Sequence, residues 1–173
     1  MKQYTLSELF TLIPVELYTP ELGKEALCNQ FNLSDGYTFN GHRLNGTKAV
    51  LAYAIKNEER VADGQQPEPF AIRLIEECGN INEYNKVVFH YSSHKKLSHT
   101  VIATSTELKM ANSFKADSFE SALYFLFLSI QQLQMNPRQC TVRVCSAITP
   151  QQQETIARFF GGVQTNNLDN QIL

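Results

Sequence analysis

The chain has 173 residues and a formal charge of -2, long enough to bury a core without metals or disulfides, in one domain or two small lobes. Its cations are scattered and form no basic stripe to neutralise phosphates, which argues against nucleic acid as a partner. Cys28, Cys78, Cys140 and Cys145 form no Cys-x-x-Cys pair, the start MKQYTLSELF has no signal-peptide run, and no window approaches the roughly 18 apolar residues of a bilayer span, so the composition reads as a cytoplasmic protein with reduced thiols.

Leu9 to Ile13 reads as a short strand closed by Pro14. Thr19 and Pro20 supply an N-cap and a first-turn proline, after which Leu22, Ala26, Leu27 and Phe31 share one helical face. Gly23 weakens that helix by about 1 kcal/mol relative to alanine. Tyr37 to Ile55 reads as a hairpin turning at Asn45-Gly46, with Asn40-Gly41 as a second possible turn and Ala49 to Ile55 as the buried strand. Lys56 to Pro69 is charged and proline-rich, an exposed connector, and a helix resumes at Phe70 and ends at Gly79 as a glycine cap would end it.

Lys86 to Tyr91, Thr100 to Thr104 and Leu108 to Phe114 then read as an antiparallel meander. Asp117 to Asn136 is a helix with apolar residues on roughly two faces, started by a capping box of Asp117 and Glu120, and Leu126 and Ile130 are expected at its buried centre. A strand over Cys140 to Ile148 has a more polar second face. Thr149-Pro150 with Gln152 forms another capping box, for a helix through Phe160 that Gly161-Gly162 ends. The order is β-β-β-α-β-α, a ribonuclease-H-like arrangement.

Phe10-Thr11-Leu12-Ile13-Pro14 with Leu17-Tyr18, and Ala111-Asn112-Ser113-Phe114 leading into a Phe/Leu/Tyr-rich helix, resemble an uncharacterised bacterial family, the domain of unknown function numbered 3822. The resemblance spans most of the chain. It implies an actin-like ATPase fold, similar to that of the pilus-assembly protein PilM, built from two ribonuclease-H-like halves. It also implies a further β-rich segment before the Phe-Thr-Leu-Ile-Pro stretch, so the chain is expected to be a shortened form whose first lobe exposes a sheet edge open to self-association or a partner strand. The expected fold is therefore α/β (α+β) with a mixed sheet, an N-terminal lobe over residues 1–80 and a ribonuclease-H-like lobe over residues 81–173.

The chemistry is tested at named positions. A nuclease of this topology needs carboxylates on the first strand, the long helix and the fourth strand to hold two metal ions. The first strand offers His90, Tyr91 and Ser92, the fourth offers none, and helix capping accounts for Glu120. An actin-like ATPase needs an Asp-x-Gly turn for phosphate and metal, where this chain has Ser92-Ser93-His94-Lys95-Lys96. The adenosine-binding Gly-Gly expected after the fourth strand is replaced by Ser146-Ala147-Ile148. His90, His94 and His99 crowd one hairpin, and His90 faces His99 if the loop is Ser93 to Lys96, but no Cys, Asp or Glu joins them from nearby sequence. No catalytic residue, metal ligand or cofactor is assigned. The expected function is a degenerate actin-like module that binds a protein partner or itself, with no nucleic acid and no membrane span. The alternatives are a nucleotide binder using Ser92, Ser93, Lys95 and Lys96, and, behind it, a metal-dependent hydrolase at the histidine hairpin.

Overall fold

A computed structural model describes residues 1–173 and divides them into two units, Met1–Ile72 with Gln171–Leu173, and Arg73–Asn170. The first unit contains β1 (Tyr4–Thr5), β2 (Phe10–Pro14), α1 (Pro20–Phe31), β3 (Tyr37–Arg43), β4 (Ala49–Lys56) and β5 (Glu68–Pro69). β2, β4 and β3 form an antiparallel sheet with β4 in the centre, while β1 and β5 pair in parallel. Thr19 caps α1, its hydroxyl accepting from the Leu22 N–H at 3.1 Å, and Asn32 ends the helix in the left-handed conformation. Leu27, Ile13, Ala52 and Ala54 form the core beneath, with Tyr18, Phe31, Tyr37 and Phe39 packed around them.

The hairpin turns at Asn45-Gly46, where Gly46 has φ +74°, but Leu44 and Ala49 close the loop, which makes it longer than the tight turn the dipeptide suggests. Asn40-Gly41 makes no turn. Both residues lie inside β3, opposite Tyr53 and Ala52. Gly41 is needed for close approach, because a Cβ there would overlap the Tyr18 hydroxyl, while one on Gly23 would come within 3.0 Å of the same ring. Tyr18 thus fits between two glycines, and the packing offsets the helix propensity that Gly23 gives up. The connector after β4 is largely exposed to Gln65, yet Pro67 and Pro69 are buried and Glu68–Pro69 pairs with β1. That strand was not legible as one, since prolines usually argue against pairing.

The division between units falls inside α2 (Phe70–Gly79). Gly79 is not among the residues with positive φ, so no left-handed glycine cap forms. The helix instead tightens through Asn80 N–H to Glu77 C=O at 3.1 Å and Ile81 N–H to Cys78 C=O at 3.2 Å. The second unit then runs β6 (Asn85–Ser92), β7 (Leu97–Thr104), β8 (Leu108–Lys115), α3 (Phe119–Gln132), β9 (Thr141–Val144), α4 (Pro150–Ala157) and β10 (Gly162–Thr165). Its sheet has the order β10-β9-β6-β7-β8, with β6, β9 and β10 parallel and β6, β7 and β8 an antiparallel meander. The β-β-β-α-β-α order is present, extended by a fifth strand.

Leu126 and Ile130 are buried, together with Phe119, Ala122 and Leu123 of α3, against Val87, Phe89, Ile102, Val142 and Val144 of the sheet. Only Tyr124 of the flanking aromatics is plainly exposed. The N-cap of α3 is Ser118, whose hydroxyl accepts from Ser121 N–H at 3.1 Å, so the helix starts one residue later than an Asp117–Glu120 box requires. The Thr149–Gln152 box of α4 forms in both directions. α4 ends at Ala157, short of Phe160. Gly161-Gly162 is therefore not its stop, which is capped at Arg158: a Cβ on Gly161 would overlap the Arg138 carbonyl, and Gly162 begins β10. β9 stops at Val144 rather than Ile148.

Candidate functional site

Successive residues of a strand point to opposite faces. Since Val87, Phe89, Val142 and Val144 enter the apolar core, the partners that alternate with them, Val88, His90, Arg143 and the cross-strand His99, Val101 and Gln164, share the other face. Two polar clusters form there.

The first is centred on Glu77, whose side chain is 4% exposed. Its Oε1 accepts from Arg143 Nη1 at 2.6 Å and from Asn166 Nδ2 at 2.8 Å, and its Oε2 is 2.9 Å from Arg73 Nη1. Arg143 also donates twice to Gln164 Oε1, at 2.9 and 2.6 Å. Burial pushes the Glu77 carboxyl up, but hydrogen bonds from Asn166, Arg143 and Arg73 outweigh it and hold the group below its ordinary 4.5. The charge is therefore fixed and saturated. Burial pushes the neighbouring Cys78 and Cys145 thiols up to about 12, which leaves them protonated and unreactive. Burial also raises Cys140.

The second cluster contains the histidine pair. His90 does face His99, with rings 6.1 Å apart and edge-on. A carboxylate joins them from the far end of the sequence, for Asp169 Oδ1 lies 2.9 Å from His90 Nε2, and Asp169 Oδ2 accepts from Ala147 N–H at 3.0 Å. Ser146 Oγ accepts from Tyr91 N–H at 3.2 Å. The bond from His90 lowers the Asp169 pKa, outweighing partial burial, and the Ala147 N–H lowers it further. The segment Ser146-Ala147 after β9 is thus tied to β6 on one side and to Asp169 on the other. His94 stands apart, exposed at the hairpin tip.

That tip carries the sequence-derived phosphate candidates Ser92, Ser93, Lys95 and Lys96. Ser92 Oγ accepts from Lys95 N–H at 3.2 Å, closing the turn on itself. Lys96 has φ +50°, its carbonyl accepts from Ala116 N–H at 2.9 Å, and its ammonium lies 3.6 Å from Asp117 Oδ1. Ser93 and Lys95 are exposed. The four residues are neighbours, but Ser92, Lys95 and Lys96 are already engaged locally. Sequence reasoning missed Glu77, Asn166 and Asp169. The Arg73–Glu77 spacing of four on α2 was the one readable signal, and nothing near Asp169 announced a partner seventy-nine residues away.

No helix is long and apolar enough to cross a membrane. The fold is similar to a crystal structure from Bacteroides thetaiotaomicron VPI-5482, described as a protein with actin-like ATPase fold and unknown function. The TM-score is 0.78 at 19% identity, covering 96% of this chain and 69% of that one, which shows a shared actin-like fold. No curated protein matches the chain. A family model described as protein of unknown function (DUF3822) matches residues 4–158, and the chain belongs to that family.

Proposed function

We propose that this chain is a degenerate actin-like module that works by binding protein, a partner or a second copy of itself, in the cytoplasm, and that it does not hydrolyse ATP. In this reading residues 1–80 and 81–173 are the two lobes, the chain is a relative of PilM-like proteins, and its surfaces rather than a nucleotide cleft carry the function. The observation that supports it is the engagement of one backbone donor at each of the two positions where an actin-like ATPase would contact its nucleotide. Lys95 N–H turns inward to Ser92, and Ala147 N–H turns inward to Asp169. Phosphoryl transfer relies on positioned donors and a metal bridging phosphate oxygens, and the turn from Ser92 to Lys96 contains no carboxylate to hold one. In this reading Ser146 and Ala147 replace the glycine pair that would give a purine close backbone approach, and their Cβ atoms hinder it.

Calorimetric titration with ATP and magnesium at moderate salt tests the reading. No heat beyond a salt-sensitive attraction to Lys95 and Lys96 is expected. Micromolar affinity, or steady phosphate release abolished by changing Ser93 and Lys95, would overturn it in favour of a nucleotide site at Ser92, Ser93, Lys95 and Lys96.

A further inference from the structure

The sheets end in strands of unequal protection. An open strand edge exposes unpaired N–H and C=O groups, and proteins usually blunt it with short strands, prolines, lysines or bulges. β2 has five residues and ends in Pro14, and β10 has four. β8 faces a register irregularity at Ile102/Ala103 and includes Lys109 and Lys115. β3 lacks all four, although Arg43 is charged and Gln66 and Glu68 of the connector reach its Thr38 and His42 side chains, leaving the backbone of the edge itself uncovered. Its seven residues, Tyr-Thr-Phe-Asn-Gly-His-Arg, pair with β4 without interruption and contain no proline or lysine, and Thr38, Gly41 and Arg43 are exposed.

The hydrogen-bond phase fixes which groups face outward. Leu44 N–H bonds Ala49 C=O at 3.2 Å and Asn57 N–H bonds Gly36 C=O at 2.9 Å, so residues 36 and 44 point toward β4. Alternation in an antiparallel ladder then turns Thr38, Asn40 and His42 inward, and leaves the backbone groups of Tyr37, Phe39, Gly41 and Arg43 directed at the open edge.

We propose that the β3 edge is a homodimer interface, in which a second copy adds its own β3 antiparallel with Asn40 opposite Asn40. This rests on the protein-binding reading above and narrows it to one partner and one register. A two-fold interface must be self-complementary, and this sequence is. Tyr37 meets Arg43 of the second copy, a cation–π pairing, and Phe39 meets Gly41, beside the Tyr18 ring that lies against that glycine. Asn40 meets its own copy at the close, non-hydrogen-bonded spacing, where two amides can bond each other. Neighbouring registers lose pairs: centring on Gly41 sets Tyr37 opposite Asn45 in the turn, and centring on Phe39 sets Arg43 opposite Asp35, beyond Gly36 at φ +101° where the strand has ended. Only the Asn40 register matches the whole strand, joining two sheets in the order β2-β4-β3-β3-β4-β2.

Sedimentation equilibrium on the full chain tests this. The mass of the parent is expected to double with concentration, Asn40→Lys and Asn40→Glu are each expected to stay monomeric through like-charge repulsion, and their equimolar mixture is expected to dimerise again. In a Cys28→Ser background, Asn40→Cys is expected to form a disulfide dimer under mild oxidation while Thr38→Cys is not, a readout that needs no charged variant to fold. A parent that stays monomeric into the millimolar range overturns the proposal. So does a dimer unaffected by both charged variants, or equal cross-linking at positions 38 and 40. ATP titration of the monomeric Asn40→Lys chain separates the two readings: a monomeric parent with no ATP binding refutes this interface alone, whereas micromolar ATP binding refutes the module without nucleotide whatever the mass.

Discussion

The two faces of the five-stranded sheet are built on opposite rules. Against α3 and α4, the sheet presents Val87, Phe89, Ile102, Val142 and Val144 to a shell of Leu, Phe and Ile, and its stability comes from area removed from water. On the reverse face, Arg143, Glu77, Asn166, His90 and Asp169 hold one another by short hydrogen bonds. The first face tolerates change in proportion to volume. The second does not, since removing one partner strands the others. A polar face of this kind defines geometry, and here it fixes the Ser146-Ala147 segment in a position that uses up its backbone donor.

The largest expected effect is therefore on the polar face. Glu77→Ala takes the buried carboxylate away from Asn166 and from the half-buried Arg143 and Arg73 and is expected to cost about 3–5 kcal/mol, whereas a paired replacement of Glu77 and Arg143 by apolar residues of similar volume is expected to recover only part of it, since Arg73, Asn166 and Gln164 still each lose a partner. Chemical denaturation of the single and double variants measures both. On the apolar face, Leu126→Ala or Ile130→Ala, each buried, is expected to cost on the order of 2–5 kcal/mol by opening a cavity. Melting within a degree or two of the parent would show that α3 is peripheral to the core.

The difference between the faces also explains what the sequence disclosed. The apolar face follows local periodicity, so Leu126, Ile130 and the meander were readable from spacing alone. The strands of the polar face were visible too, but their partners come from residues 77, 164, 166 and 169, and no local pattern links these to Arg143 or His90. The same limit hid β10, whose four residues begin inside the Gly161-Gly162 pair that the sequence marks as a helix stop. It also hid the role of Gly41, which looked like a turn residue because Asn-Gly usually is one, while Tyr18 supplies the reason from twenty-three positions away. At the hairpin tip Ser92 to Lys96 read as a turn, but the hydroxyl of Ser92, weighed as a phosphate contact, instead accepts from Lys95 N–H and closes that turn.

A third test probes the exception on the apolar face. Thr100 is fully buried there, opposite Phe89, and its hydroxyl has no hydrogen-bond partner. An unsatisfied buried hydroxyl is costly, and valine has nearly the same shape. Thr100→Val is expected to stabilise the protein by about 1 kcal/mol, read as a raised melting temperature. The same kind of exchange on the polar face, Asn166→Leu, is expected to do the reverse, because it removes a donor to Glu77.

The smallest effect separates the faces by pH. Glu77 and Asp169 both have folded-state pKa values below their ordinary 4.5 and 3.8. Unfolding therefore raises each pKa, so the unfolded chain binds more protons over the interval between the two values, and stability rises with pH there. The contribution is fully present above the unfolded value and is lost as pH falls through the folded one. Acid is thus expected to weaken the polar face from just above pH 4.5 downward, while the apolar face, which carries no such groups, is indifferent. The two carboxylates differ in weight. Glu77 is closed off by two arginines and an asparagine, whereas the Asp169 side chain is 42% exposed and solvent screens its pairing with His90. Denaturant midpoints measured from neutral pH down to pH 3 are expected to fall less steeply for Glu77→Gln than for the parent, and only slightly less steeply for Asp169→Asn. An acid limb unchanged by Glu77→Gln would mean that the cluster's charge is not what holds that face together, and the contrast between the two faces would then rest on shape alone.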